Sequence, residues 1–170
     1  MRAQIIILLT VVLTACTSVP DKVSPVSPFN LERYMGTWYE IARMPHPFEE
    51  GLSRVTATYS QNDDGSVKVI NRGFNAEEQQ WSQAEGKAKF VGDTNTGHLK
   101  VSFFGPFYSS YVVFGLDQEN YQYAYVSGYN TDYAWLLARE KEVDEQRLED
   151  FKEQLRSAGF AVEKLIEVQQ

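Results

Sequence analysis

Eight short runs of strand-type residues, joined by tight turns, constrain this chain more than any other feature. Turn signals such as Asn62-Asp63-Asp64-Gly65 and Gly105-Pro106 separate the runs. Antiparallel strands can be joined by such short connections, whereas parallel strands need long crossovers. The pattern therefore predicts an all-β fold, an eight-stranded antiparallel up-and-down barrel. The predicted strands are residues 37–44, 53–61, 66–74, 80–91, 98–104, 109–116, 121–128 and 133–139.

One segment near the end of the chain departs from the strand pattern. Between residues 144 and 157, Leu148, Phe151 and Leu155 recur at helical spacing, and charged residues fill the opposite face. Gly159 then supplies a helix stop. We therefore expect one amphipathic α-helix packed against the outside of the barrel, followed by a short final strand over residues 160–168.

The first fifteen residues have the pattern of a secretory signal peptide. Arg2 gives a positive start, and residues 5–13 are apolar apart from Thr10. This apolar run is too short to cross a bilayer as a mature helix. Leu13-Thr14-Ala15-Cys16 resembles a bacterial lipobox, which predicts that residues 1–15 are removed and that Cys16 is acylated. An ordinary signal peptide with an incidental Cys is the alternative.

Composition predicts how the rest of the chain is divided. Residues 17–28 contain three prolines and three serines. We expect residues 16–28 to form a lipidated Cys with an extended, unpacked tether. The barrel domain then covers residues 29–170. Cys16 is the only cysteine, so no intramolecular disulfide can form.

Charge and motif content exclude several classes of function. The net charge of −7 makes the chain a poor partner for nucleic acid, whose affinity comes mainly from cations on phosphates. His46 and His98 are the only histidines, and neither has other metal ligands nearby in the sequence. No G-x-S-x-G motif occurs. The sequence therefore predicts no metal site, no cofactor and no catalytic residue, and a protein that is not an enzyme.

Two motifs at opposite ends of the predicted barrel carry a family resemblance. Gly36-Thr37-Trp38 opens the first strand, and Thr131-Asp132-Tyr133 precedes the last strand, which ends at Arg139. Together they resemble the signatures of the lipocalin family, and the resemblance extends over residues 29 to about 168. It implies a small barrel that holds an apolar ligand. The structural signature residues would be Gly36, Trp38, Thr131, Asp132, Tyr133 and Arg139, with Arg139 packed on Trp38 to seal one end.

Four further stretches narrow the resemblance to one branch of the family. Residues 36–43, 55–59, 71–73 and 100–107 resemble the bacterial outer-membrane lipoprotein lipocalins of the Blc type, which are related to apolipoprotein D. This branch is linked to membrane stress and to the binding of fatty acids or lysophospholipids. The resemblance implies a lipid-anchored protein on the periplasmic face of the outer membrane that transports or stores lipids. A lipid-modifying enzyme on this scaffold and an envelope interaction protein without a ligand are the alternatives, and a homodimer is left open.

Alternation along each strand predicts which side chains face the barrel interior. With Trp38 inward, Glu40 and Ala42 share its face, and Ala84, Gly86 and Ala88 supply small interior positions. Tyr125 is also expected on an interior wall. A mainly apolar wall with a few polar groups is typical of a small-molecule site, although the same aromatic residues could simply fill the barrel. The predicted ligand-binding residues are Glu40, Tyr59, Val69, Asn71, Phe103, Tyr111, Tyr123, Trp135 and Leu137.

Overall fold

A computed structural model describes residues 17–170, so the predicted signal peptide and Cys16 lie outside the described residues. Nine strands form one antiparallel sheet in the order β2-β3-β4-β5-β6-β7-β8-β1-β9, and an added β1–β2 pairing closes the first eight into a barrel. The predicted fold class is therefore confirmed. The strands are β1 Gly36–Arg43, β2 Leu52–Gln61, β3 Val67–Asn75, β4 Gln80–Phe90, β5 His98–Ser102, β6 Ser109–Leu116, β7 Tyr123–Ser127, β8 Ala134–Ala138 and β9 Ile166–Glu167.

The up-and-down order gives the barrel two different ends. The β1–β2, β3–β4, β5–β6 and β7–β8 connections lie at one end, here called the open end. At the other, closed end lies the short helix α1, Leu31–Tyr34. The Asn30 side chain accepts a hydrogen bond from the backbone amide of Arg33 at 3.0 Å and so caps this helix.

Arg139 and Trp38 seal the closed end as the signature residues predicted. The guanidinium carbon of Arg139 lies 3.8 Å from the centre of the Trp38 ring, which is fully buried. Gly36 has a φ of 96°, and a Cβ there would lie 3.3 Å from a guanidinium nitrogen of Arg139. Arg139 also donates hydrogen bonds to four backbone carbonyls around α1, those of Arg33, Tyr34, Met35 and Thr37.

The third signature, Thr131-Asp132-Tyr133, forms the turn between β7 and β8. Asp132 accepts a hydrogen bond from the Asn130 side chain at 3.0 Å. The Tyr133 side chain packs against Gly128, where a Cβ would lie 2.7 Å from the Cβ of Tyr133. The motif thus fixes the path of the chain at the open end.

The predicted helix is confirmed as α2, Glu145–Ser157, and it lies against the outer face of the sheet. Asp144 caps it by accepting from the Arg147 amide at 2.7 Å. Phe151 and Leu155 are fully buried against Ile41, Val112, Tyr125 and Leu136 of the sheet. Residues 17–170 therefore form two apolar clusters, one inside the barrel and one between the barrel and α2.

The predicted short final strand is confirmed, but its predicted bounds, residues 160–168, are too long. Only Ile166–Glu167 is a strand, paired with the end of β1, and Val162–Lys164 forms a 3-10 turn. Phe160 is buried in the outer cluster beneath α2. Because the chain must first place this ring beneath the helix, it becomes extended only at Ile166.

The expectation that residues 17–28 stay unpacked is also wrong. Val23 is buried in the outer cluster, and the Val26 amide donates to the Val113 carbonyl at 2.8 Å. Near the start of this segment, the Ser18 hydroxyl donates to the carbonyl of Tyr129, in the β7–β8 turn. Near its end, the Phe29 amide donates to Asn95, in the β4–β5 connection. The segment therefore runs down the outer wall from the open end to the closed end.

Candidate ligand-binding site

Most of the predicted ligand-binding residues lie on the inner face of the barrel. Tyr59, Val69 and Leu137 are buried in the interior cluster, and Phe103, Tyr111 and Trp135 pack against it. Gly86 lets Phe103 lie inside, because a Cβ at that position would be 2.8 Å from the Phe103 ring. Position 86 of β4 therefore needs a small residue because the Phe103 ring occupies the adjacent space.

Three tyrosine hydroxyls form a floor across the interior. The Tyr111 oxygen lies 2.7 Å from that of Tyr34 and 2.8 Å from that of Tyr59. Burial raises the pKa of all three tyrosines, so the hydroxyls stay neutral and hydrogen-bonded to one another. The space around the floor is nearly filled, with a cavity of about 10 Å³ between it and Phe29. A ligand therefore does not fit on the Phe29 side of the floor.

A cluster of charged side chains lies inside the barrel near the open end. Arg43 donates to the Glu40 carboxylate at 2.8 Å and to the backbone carbonyl of Glu49 at 2.7 Å. The Trp135 indole donates to the Glu49 carboxylate at 3.2 Å. The His46 imidazole lies 2.9 Å from the same carboxylate, in a contact without the alignment of a hydrogen bond. These contacts hold the β1–β2 loop across part of the open end.

The two acids of this cluster have opposite pKa shifts. Burial, with added repulsion from Glu49, raises the pKa of Glu40 well above 4.5, although Arg43 opposes the shift. Burial also acts to raise the pKa of Glu49, but His46, Trp135 and Arg43 together hold it below its usual value. The cluster therefore makes Glu40 the weaker acid of the two and Glu49 the stronger.

Asn71 places a polar oxygen without a partner on the inner face of the barrel. It lies on the inner face of β3, opposite Ala57 of β2 and Ala84 of β4. Its side-chain oxygen is buried, and within residues 17–170 it has no hydrogen-bond partner. Because a buried polar oxygen without a partner is costly, this amide is suited to a polar group on a ligand.

Tyr123 is wrong as a ligand-binding residue, and Tyr125 is wrong as an interior wall. Both rings lie in the outer cluster, where Tyr125 packs on Phe151 and the Arg147 guanidinium lies 3.7 Å from the centre of the Tyr123 ring. The small Ala124 faces the interior instead. The physical reason is α2, because the helix buries the outer face of β7 and that face needs the large side chains.

Sequence reasoning also missed Arg43. Strict alternation puts Ala42 inward with Trp38 and Glu40, but the pairing with β8 shifts between Glu40 and Ala42. This bulge turns Ala42 into the outer cluster and brings Arg43 inside. Alternation alone cannot reveal such a shift, and the nearby acids Glu40 and Glu49 were the only sequence signal for it.

The site offers no other recognisable chemistry within residues 17–170. No group of three or more His, Cys, Asp or Glu side chains in that range could hold a metal ion. His98, on the outer face of β5, lies 3.5 Å from the Ser110 hydroxyl and far from the charged cluster in sequence. Over the same residues, no helix has both the length and the apolar character needed to cross a membrane.

Comparison with known families decides what kind of barrel this is. The family model described as "Lipocalin-like domain" matches residues 29–170. The chain is a lipocalin. The match begins at Phe29, where we placed the start of the barrel domain, and includes all three signature motifs.

Similar proteins place this lipocalin within the family. It is 54% identical over 170 residues to "Outer membrane lipoprotein Blc" of Vibrio cholerae, covering 100% of this chain and 99% of the relative. It is 34% identical to apolipoprotein D of Macaca fascicularis, covering 88% and 79%. The predicted resemblance to the Blc branch and to apolipoprotein D is therefore confirmed, and so is the outer-membrane location.

Solved structures support the fold of the lipocalin independently. Insecticyanin from the tobacco hornworm Manduca sexta superimposes with a TM-score of 0.69 at 22% sequence identity, covering 90% of this chain and 87% of that one. At this identity the likeness concerns the barrel alone.

Proposed function

We propose that this lipocalin binds fatty acids or lysophospholipids between the tyrosine floor and the open end of the barrel. Each lipid would place its acyl tail along Phe103, Trp135 and Leu137 and its polar part near Asn71. The protein would then store or transport such lipids at the periplasmic face of the outer membrane, for membrane maintenance under stress. The acyl anchor on Cys16 is part of the same proposal.

The unpaired oxygen of Asn71 is the observation that carries the proposal. A barrel that only needed filling would place an apolar side chain at this inward position, because a buried amide without a partner destabilises the fold. Apolar and aromatic walls with a free polar oxygen match a ligand that has a long tail and a small polar part. The tyrosine floor blocks the way toward the closed end, so a ligand would enter from the open end.

Native mass spectrometry of the purified protein tests the proposal first, by looking for co-purified lipid. After delipidation, fluorescence titration with saturated fatty acids of increasing length should give 1:1 binding. Each added methylene should tighten binding about fourfold, at about 0.8 kcal/mol per methylene, until the tail reaches the floor. Competition by lysophospholipid distinguishes the two head groups. Affinity that does not change with tail length would show that the barrel interior is not the site.

Asn71→Leu separates the polar contact from the fold. The substitution should weaken lipid binding about tenfold through loss of one hydrogen bond, while leaving the thermal midpoint unchanged or higher. Ser60→Ala, on the exposed outer face of β2, is the matched control and should change neither quantity. Release of products from the bound lipid would instead favour the enzyme alternative. No lipid binding at any tail length would favour an interaction protein.

A further inference from the structure

Exposed aromatic side chains are concentrated at the open end of the barrel. Phe48 in the β1–β2 loop is 73% exposed, and Phe104 and Phe107 in the β5–β6 loop are 74% and 71% exposed. Trp81, at the start of β4, is 45% exposed. Large aromatic rings in water are unfavourable, and several on one end of a protein indicate a contact surface. We call these four residues the aromatic rim.

Trp81 lies on the outer wall in a setting that combines aromatic and cationic groups. Its ring packs edge-on against Phe74, with 5.4 Å between ring centres. Arg72 lies 4.0 Å above the Trp81 ring, and Arg54 lies 4.0 Å above the Phe74 ring. Tryptophan beside arginine is typical of protein surfaces at the boundary between water and a lipid bilayer.

The N-terminal segment gives the direction of that bilayer. Ser18 is bonded to Tyr129 at the open end, and Cys16 stands two residues before Ser18 in the sequence. Two residues span about 7 Å at most. The Thr17 backbone also bonds to the His98 side chain on the outer wall. An acyl chain on Cys16 therefore begins beside the outer wall, within about 7 Å of the Ser18 contact with the β7–β8 turn.

We propose that the open end of this lipocalin rests on the lipid surface that holds its anchor, with the aromatic rim inserted among the lipids. Charge does not drive the contact, because Glu50, Glu77 and Glu78 lie at the same end and outnumber Arg54 and Arg72. The contact therefore needs no anionic lipid and resists salt. The mouth of the barrel then opens toward the bilayer, so lipids enter and leave without crossing water.

The full acylated protein can be tested in vesicles of phosphatidylcholine with brominated acyl chains, which quench nearby tryptophans. The Trp81 signal is the difference between the wild-type protein and Trp81→Phe. The fluorescence intensity of Trp81 should fall about twofold in brominated vesicles relative to unbrominated ones, as for a tryptophan at the interface. Added salt should leave this quenching unchanged. Phe104→Ser combined with Phe107→Ser should abolish most of the quenching.

Tyr39→Ser, which alters an aromatic residue on the outer wall of β1 away from the open end, is the control and should leave the quenching intact. Mass spectrometry of the same sample reports acylation of Cys16, so loss of the anchor is seen separately from loss of contact. An acylated protein whose Trp81 is not quenched overturns the proposal. So does a stable dimer that the rim substitutions dissociate, because the rim would then bind a second copy.

Discussion

Near the open end, one arginine must satisfy two buried acids. Glu40 and Glu49 are 3% and 8% exposed, and Arg43 reaches the first through its carboxylate and the second through its backbone carbonyl. Desolvating two carboxylates beside one cation is costly, so protonation of one acid lowers the cost. Because Glu49 has His46 and Trp135 as additional partners, the pKa of Glu40 rises and that of Glu49 falls.

This arrangement predicts a stability that falls as pH rises. The pKa of Glu40 is raised in the folded protein, so between its ordinary value of 4.5 and the raised value unfolding releases a proton. The free energy of unfolding should decrease with pH across that range, by at most about 1.4 kcal/mol per pH unit. Glu40→Gln removes this contribution. Urea unfolding from about pH 5 to about pH 9 should show the wild type losing stability relative to the variant.

The comparison with Glu40→Gln isolates this residue from the other titrating groups. Glu49, whose pKa is lowered, makes the free energy of unfolding depend on pH only below pH 4.5. The matched control is Glu163→Gln at an exposed position, which should follow the wild type. A difference between wild type and Glu40→Gln that stays constant with pH would mean that Glu40 is ionised in the fold.

Among the elements, β6 and β7 show how α2 decides the direction of side chains. Gly115 of β6 lies directly against the Tyr125 ring of β7, and a Cβ there would be 2.3 Å from that ring. The pairing of the two strands shifts between Val113 and Gly115 to admit the ring. Tyr125 then packs against Phe151 of the helix, with 4.9 Å between ring centres.

Gly115→Ala should therefore loosen the packing between the sheet and α2. The added methyl group forces the Tyr125 ring away from Phe151, which should cost about 1–3 kcal/mol of unfolding free energy. The midpoint of urea unfolding, followed by circular dichroism, measures the loss. Gly105→Ala is the control, because a Cβ there meets nothing within 4 Å. Equal midpoints for the two variants would contradict the tight contact.

The local sequence pattern was sufficient to predict most helices and strands, but not to predict on which side of the sheet every side chain lies. The strands follow alternation closely enough that Tyr59, Val69 and Leu137 could be placed inside from the sequence alone. Tyr123 could not, because its direction depends on a helix that begins more than twenty residues later. Arg43 could not either, because a bulge in β1 reverses the alternation at that point. Sequence periodicity does not reveal the direction of a side chain that depends on packing against a distant element or on a local bulge.

At the scale of the whole molecule, residues 17–28 act as a strap along the outer wall. Proline and serine content predicted an unpacked tether, but Val23 and Val26 pack on the barrel. Backbone hydrogen bonds to the barrel also hold the segment in place. The Val26 amide donates to Val113, and the Gly97 amide donates to the Val26 carbonyl. Sparse apolar residues in a proline-rich segment were enough for docking once the barrel offered them a surface.

Hydrogen exchange can test the strap directly. The amides of Val26 and Gly97 should exchange at least about a hundredfold more slowly than unprotected amides, because both are bonded in the folded state. The amide of Asp63, in the exposed β2–β3 turn, reports the fast limit. Fast exchange at Val26 with slow exchange at the strands would show an undocked segment.

The strap also limits how far the protein can travel. A free tether of the twelve residues 17–28 would span about 40 Å and let the barrel swing into the periplasm. With the strap docked and an acyl anchor on Cys16, only Thr17 separates the anchor from the bonded Ser18. With the proposed anchor, the barrel would diffuse in two dimensions within one leaflet. A lipid carrier held in this way would exchange lipids with its own leaflet, and delivery to another membrane would require that membrane to approach it.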